Sequence, residues 1–178
     1  EATSMEARNL PELFWNRVAL HPDRVMHKTK RFGQWIDASW KRVGRSVQGV
    51  ALGLIDLGIE PGASVAILCQ SRSEWVQVDL GILSAGAVTI PVYPSLIGEQ
   101  VQFVLADSGA VAVFVEDKAQ LQKLLKIKSA LPALRKIIVI DASGCKLNEP
   151  VTSLEELVDG ARGASDVPMR ARIERLGP

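Results

Sequence analysis

Two short segments carry the side chains best suited to chemistry: Ser71-Arg72-Ser73-Glu74-Trp75 and Pro91-Val92-Tyr93-Pro94-Ser95. Tyr93 and Ser95 follow an apolar run that reads as a strand. In open α/β sheets ligands bind outside the carboxyl ends of strands, which would bring both toward a ligand. The alternative is that Pro91 and Pro94 stiffen an exit loop and Tyr93 packs. In the other segment, Ser71 or Ser73 suits the cap of a following helix and Glu74 complements its dipole. Trp75 either lines an apolar channel or packs against the sheet. Lys118, Lys123 and Lys126 recur at helical spacing, placed to meet a phosphate or to form a solvated face.

The standard machinery of other chemistries is missing. No Gly-x-Gly-x-x-Gly or P-loop pattern occurs, and Gly81, Gly86 and Gly98 are too scattered to cradle a phosphate. His21 falls in a turn and His27 in a strand, without the neighbours of a metal site. Ser84 lacks the spacing of a nucleophile elbow. Glu155 and Glu156 are explained by helix capping. Cys69 ends an apolar run and reads as a small core residue. It lies far from Cys145, so the pair makes no disulfide framework and fits a reducing compartment.

The composition agrees. The chain has 178 residues, 47% of them hydrophobic, enough for one domain that buries roughly 70% of its unfolded surface. Lys and Arg total 21 against 20 Asp and Glu, a net charge of +1 that gives no reason to expect a nucleic-acid partner. No apolar run is long enough to span a bilayer and no signal peptide opens the chain.

These residues are positioned by alternating elements. Asn9-Leu10-Pro11-Glu12 starts a helix with capping-box spacing, with Leu10, Leu13, Phe14 and Val18 on one face and His21-Pro22-Asp23 at its end. Residues 24–30 and 34–38 form a hairpin around Phe32-Gly33. Ser39 caps a helix carrying Val43, Val47, Val50, Leu54 and Leu57, and Gly58 is its left-handed C-cap. Within that helix Gly53→Ala is expected to be neutral or mildly stabilising, unless Gly53 serves close packing. Strands then fall at 65–68, 88–92, 111–115 and 137–140, with helices at 74–85, 99–107 and 118–131 between them. Gly86 and Gly109 are C-cap candidates. Ser153 begins a further capping box, and Gly160 to Pro168 reads as a loop. Continuous apolar strands alternating with helices predict an α/β fold, a doubly wound, mostly parallel sheet with flanking helices and an N-terminal hairpin. We divide the chain into a leader at 1–8, an α/β subdomain at 9–160 and a linker at 161–178. Glu1-Ala2-Thr3-Ser4, ahead of Met5, reads as a remnant of expression.

Taken in order, these pieces resemble the start of the adenylate-forming synthetases, in particular the long-chain acyl-CoA synthetases. The likeness covers about residues 9–160. It rests on Asn9-Leu10-Pro11-Glu12-Leu13, His21-Pro22-Asp23, Leu57-Gly58-Ile59, Pro61-Gly62, Val65-Ala66-Ile67-Leu68, Glu74-Trp75, Ala85-Gly86-Ala87-Val88, Pro91-Val92-Tyr93-Pro94 and Leu105-Ala106-Asp107-Ser108-Gly109. Two places depart from the pattern: Ser71-Arg72-Ser73 stands where Asn-Arg-Pro is usual, and Ile97-Gly98 where Thr-Pro is usual. The second change removes a helix cap and an N1 proline.

The resemblance implies a first subdomain of the adenylate-forming fold and a two-step ligation. A long-chain fatty acid and ATP give an acyl-adenylate, and the thiolate of CoA then forms the thioester, with Mg²⁺ and a phosphate-binding loop stabilising the departing pyrophosphate. That loop, the magnesium ligand and the catalytic lysine are expected beyond Pro178, so the chain alone is expected to be inactive and to bind none of these cofactors tightly. By the same analogy Tyr93, Pro94, Ser95 and Lys118 are CoA-side contacts, none of them catalytic. The expected partners are the substrates, the remaining subdomains of the same protein and a second copy of the chain in a homodimer. The expected location is cytoplasmic, at the periphery of a membrane. A self-standing α/β binding module and an oligomerisation scaffold are the competing readings.

Overall fold

A computed structural model describes residues 6–177; the leader residues 1–5 and Pro178 lie outside them. A hairpin and a parallel sheet, with helices on both faces of the sheet, make up the described chain. Helix α1 (Leu10–Leu20) is followed by the antiparallel pair β1 (Val25–Arg31) and β2 (Gln34–Ser39). Helix α2 (Trp40–Asp56) then leads into β3 (Ser64–Leu68), α3 (Ser73–Ser84), β4 (Val88–Val92), α4 (Gly98–Asp107), β5 (Ala112–Val115) and α5 (Lys118–Ile127). After a short 3-10 turn come β6 (Lys136–Val139), β7 (Val151–Ser153), α6 (Leu154–Gly160) and α7 (Val167–Glu174). The five-stranded sheet is ordered β4-β3-β5-β6-β7 and is parallel throughout.

Alternate residues of each strand point to opposite faces, and each face has its own core. Val65, Ile67, Phe114 and Ile138 pack beneath α2, α3, α6 and α7, while Leu68, Val113, Val115 and Val139 pack beneath α4 and α5. A third cluster, Phe14 with Val43, Val47 and Leu80, seats α1 and the hairpin on the outside of α2 and α3. On α1 the predicted apolar face is only half used: Phe14 is buried, but Leu10 and Leu13 are exposed. The side chain of Asn9 accepts from the Glu12 N–H as expected, yet Glu12 takes its own hydrogen bonds from Arg8 and not from the cap residue.

The left-handed glycines fall where the sequence puts them, with φ of +73° at Gly58, +76° at Gly86 and +62° at Gly109. Other elements differ. The helix expected to reach Leu131 ends at Ile127, and β7 was hidden because three residues beside Pro150 are too few to show a period. Helix α6 runs through Gly160, and α7 begins at Val167, inside the expected loop. The expected linker, 161–178, therefore contains a helix that belongs to the core. Met169 and Ile173, one helical turn apart, are both buried. Arg172 Nη1 donates to Ile59 O at 2.6 Å and Ala85 O at 2.9 Å, a cation at the C-terminal ends of α2 and α3. The three arginines of this segment masked its apolar stripe.

Gly53 is where the structure decides against helix propensity. A Cβ there would lie 2.6 Å from Leu157 Cγ and 2.9 Å from Leu157 O, and one at Gly49 would lie 2.6 Å from Val158 Cγ1. Helix α6 thus rests directly on the backbone of α2. Gly53→Ala is expected to destabilise by about 1–3 kcal/mol through overpacking. Gly58→Val should cost about 1–2 kcal/mol or more through its positive φ. Gly160→Ala, with open space before it, should be neutral or mildly stabilising. Denaturant midpoints of the three variants check this, and a Gly53→Ala protein as stable as the wild type would contradict the α2–α6 contact.

Candidate functional site

Chain direction fixes where a site belongs. From β3 the chain crosses to β4 on one side and then to β5 on the other, so the connections diverge at the carboxyl ends of β3 and β5. Such switch points open crevices that take ligands in doubly wound sheets. Here the crevice is laced shut. The Gln70 N–H donates to Glu116 Oε2 at 3.0 Å, and the Glu116 N–H donates to Leu68 O. Arg72 binds Glu74 through Nε and Nη2 at 2.9 and 3.1 Å and lies 3.7 Å from Glu116.

These contacts set the local charges. Burial pushes the Glu74 carboxyl up, but hydrogen bonds from Arg72, from its own N–H and from the Ser73 hydroxyl outweigh it and hold the group at about 2. The hydrogen bond to Glu74 raises Arg72 in turn. Burial, followed by the Glu116 carboxylate, pushes the Cys69 thiol up to about 12, so it is neutral and no nucleophile at ordinary pH. Asp141 is held down by its hydrogen bonds from Ser143. Neither Ser71 nor Ser73 caps α3, contrary to expectation. Arg72 is the N-cap residue without a side-chain cap bond, and Ser73 spends its hydroxyl on Glu74.

The open space lies to either side of the laced crevice. Between the ends of β3 and β4 is a cavity of about 340 Å³, lined by Cys69, Ser71, Trp75, Pro91, Tyr93 and Pro94 among others. Trp75 is partly buried against the core, as its packing reading expects, and also forms a wall of this cavity. Tyr93 is 76% exposed. Beyond β5 a second cavity, of about 480 Å³, is lined by Lys118, Leu121, Leu125, Cys145 and Lys146 among others. The four expected site residues are therefore divided. Tyr93 and Pro94 share the first cavity, Lys118 lines the second, and exposed Ser95 borders neither.

Sequence reasoning missed how the Tyr93 loop is held. Lys123 Nζ donates to Pro94 O at 2.7 Å and Leu96 O at 2.8 Å, and Gln120 Nε2 donates to Pro94 O at 3.3 Å. Of the three lysines read as a phosphate-facing or solvated row, Lys123 is thus a strut between α5 and this loop. Its place five residues after Lys118 turns it to a different face of α5, but only the fold brings the carbonyls to it. On α4, Ile97 has no side-chain acceptor, so only half of a capping box forms, with the Ile97 N–H donating to Gln100 Oε1 at 3.2 Å. Among the described residues no three His, Cys, Asp or Glu side chains gather as ligands for a metal.

A doubly wound parallel sheet with cavities beside the carboxyl ends of its strands gives the fold class, and similarity to known proteins gives the family. The chain belongs to the family of AMP-binding enzymes, whose model matches residues 14–172. It is 36% identical over 171 residues to the long-chain-fatty-acid–CoA ligase FadD15 of Mycobacterium tuberculosis, covering 96% of this chain and 28% of that protein. It is 38% identical over 135 residues to the long-chain-fatty-acid–CoA ligase heimdall of Drosophila melanogaster, covering 74% of this chain and 20% of that protein. The match lies in the N-terminal part of such relatives, of whose length the chain spans between a fifth and little more than a quarter. Among solved structures, the fold matches the anthranilate CoA ligase AuaEII in complex with anthranoyl-AMP with a TM-score of 0.73 at 20% identity, over 90% of this chain and 30% of that one. Coronafacic acid ligase from Pectobacterium brasiliense gives 0.74 at 21% identity, over 87% and 30%.

The charge arrangement at Glu74 generates a prediction. A carboxyl held below its unfolded value of 4.5 stabilises the fold above that pH, and the stabilisation is lost as pH falls toward the folded value of about 2. Wild type should lose about 2–3 kcal/mol from this group between those limits. Glu74→Gln should be less stable at neutral pH and show a flatter profile below pH ~5. Urea midpoints across that range check it, and parallel profiles for the two proteins would refute the assignment.

Proposed function

We propose that this chain is the N-terminal α/β subdomain of an ATP-dependent long-chain fatty acid–CoA ligase, which forms an acyl-adenylate and then the acyl-CoA thioester. The observation that carries the reading is the 36% identity to FadD15 along nearly the whole chain. The chain's share is support and part of the ligand wall. Trp75, Pro91 and Pro94 offer an apolar surface at the β3–β4 end, and the Lys123 strut fixes its outer loop. Tyr93, Pro94, Ser95 and Lys118 are CoA-side contacts in this reading, with Lys118 suited by charge to a phosphate.

Glu74 and Glu116 at the strand ends face Arg72, and among the described residues no three acidic, histidine or cysteine side chains gather as a cation site. Magnesium and the triphosphate are therefore assigned to the rest of the parent protein, and no step is derived through them. The missing subdomains would bury exposed Val88 on the edge strand β4 and Ile97 and Phe103 beside it. Without them, a second copy of the chain would serve. A long-chain substrate partitions into bilayers, which suits work at a membrane periphery, and two free cysteines suit the reducing cytoplasm.

Incubation of the chain with ATP, Mg²⁺ and a long-chain fatty acid is expected to give no sustained pyrophosphate release. Turnover by a preparation free of longer protein would overturn the reading. In the parent enzyme, Lys118→Gln should raise KM for CoA several-fold with kcat little changed, the pattern of lost ground-state binding. An unchanged KM would remove Lys118 from the CoA side.

A further inference from the structure

The near-neutral charge of the whole chain conceals a division. Residues 24–45 contain seven Lys or Arg and one acid, Asp37, so this segment carries +6 and the remainder −5, against +1 overall. The segment is the β1–β2 hairpin and the start of α2. Lys41, Arg42 and Arg45 are exposed in the first turns of α2, with no acidic residue in the first turn. Cations are disfavoured at a helix N-terminus, so the helix itself gives no reason for them.

The hairpin adds an apolar tip. Phe32 stands at the turn with its side chain fully exposed and φ of +49°, a conformation that bulky residues rarely adopt. Trp35 is 65% exposed and pairs across the strands with Lys30, whose ammonium lies 6.0 Å from the indole centroid. Lys28 stands opposite Asp37, 3.4 Å from its carboxylate. Cross-strand alternation puts Lys28, Lys30, Trp35 and Asp37 on the face turned away from α2, because Ala38 packs in the cluster against α2.

We propose that this hairpin docks the protein on an anionic lipid surface, with Phe32 and Trp35 entering the headgroup region and Lys28 and Lys30, on the outward face with Trp35, meeting lipid phosphates and carboxylates while the cations of α2 add to the attracting field. Indole rings favour the membrane–water interface, and an apolar tip with lysines on the same face as its indole is complementary to an anionic bilayer. The wholly apolar Phe32, placed at the apex where it meets a surface first, favours lipid over nucleic acid. The inference does not rest on the ligase reading, since its test measures no catalysis.

The 178-residue chain is mixed with phosphatidylcholine vesicles with and without phosphatidylserine and sedimented at low and high salt. Expected is retention several-fold greater on the anionic vesicles and weakened by salt. Trp35 fluorescence should be quenched by brominated lipid, with the quenching lost in Trp35→Phe. Phe32→Asn with Trp35→Thr keeps the turn and strand preferences, and its melting curve reports folding. This variant should melt like wild type yet lose most of its vesicle binding. Absence of binding, equal binding to neutral vesicles, or full binding by the folded double variant would each overturn the proposal. So would tight binding of a single-stranded oligonucleotide that is lost in the double variant while vesicles are ignored.

Discussion

The contact between α2 and α6 is made backbone to side chain. Leu157 and Val158 lie against the main chain of α2 at Gly53 and Gly49, and Val50 of the same helix meets the glycine surface of α3 at Gly81. A parallel sheet must be covered on both faces, and this face is covered by four helices, which must pack on one another as well as on the strands. Removing side chains at those points lets the helices approach closely enough to close the layer. Larger residues would separate α6 from α2 and lift Leu157 away from Phe114 and Ile138 in the shared core. Helix α7 completes the layer by tying down the carbonyls where α2 and α3 end.

That tight layer leaves the carboxyl ends of the strands as the place where irregular backbone gathers. The usual ligand crevice is occupied there by the chain's own charges, with Arg72 between Glu74 and Glu116. Of the two spaces beside it, the one toward β4 has a largely apolar lining, and there the thiol of Cys69 is held neutral by burial. An apolar recess beside a rigid ion-pair network suits a wall for a ligand better than a catalytic centre. This agrees with a chain that supplies only part of an AMP-binding enzyme.

Local chemistry made most of the architecture legible. Caps at Asn9, Ser39 and Ser153, left-handed glycines and apolar strand runs each act over a few residues and leave a mark in the sequence. The resemblance carried the family. What stayed hidden depends on partners distant in the chain. Met169 and Ile173 are a weak stripe among arginines until α2 and α3 offer them a bed. Gly53 looks like an ordinary helix defect until Leu157 arrives. Lys123 looks like its neighbouring lysines until the Pro94 and Leu96 carbonyls come within reach. At the site, single residue types pointed to the carboxyl ends of the strands, and Tyr93 and Lys118 line separate cavities there because β3 and β5 stand between the two spaces.

Asn9 works at both ends of the described chain. Its Oδ1 caps α1, and its Nδ2 donates to Ile173 O in the last turn of α7 and to Leu176 O just beyond it, at 3.3 Å each. Residues 9 and 176 are therefore neighbours, joined by one amide group and the packing around it. Tension applied between them would load those two bonds first and the strand ladder last. The outer helices would peel away one contact at a time, as a zipper opens, with the sheet left standing as the mechanically resistant unit.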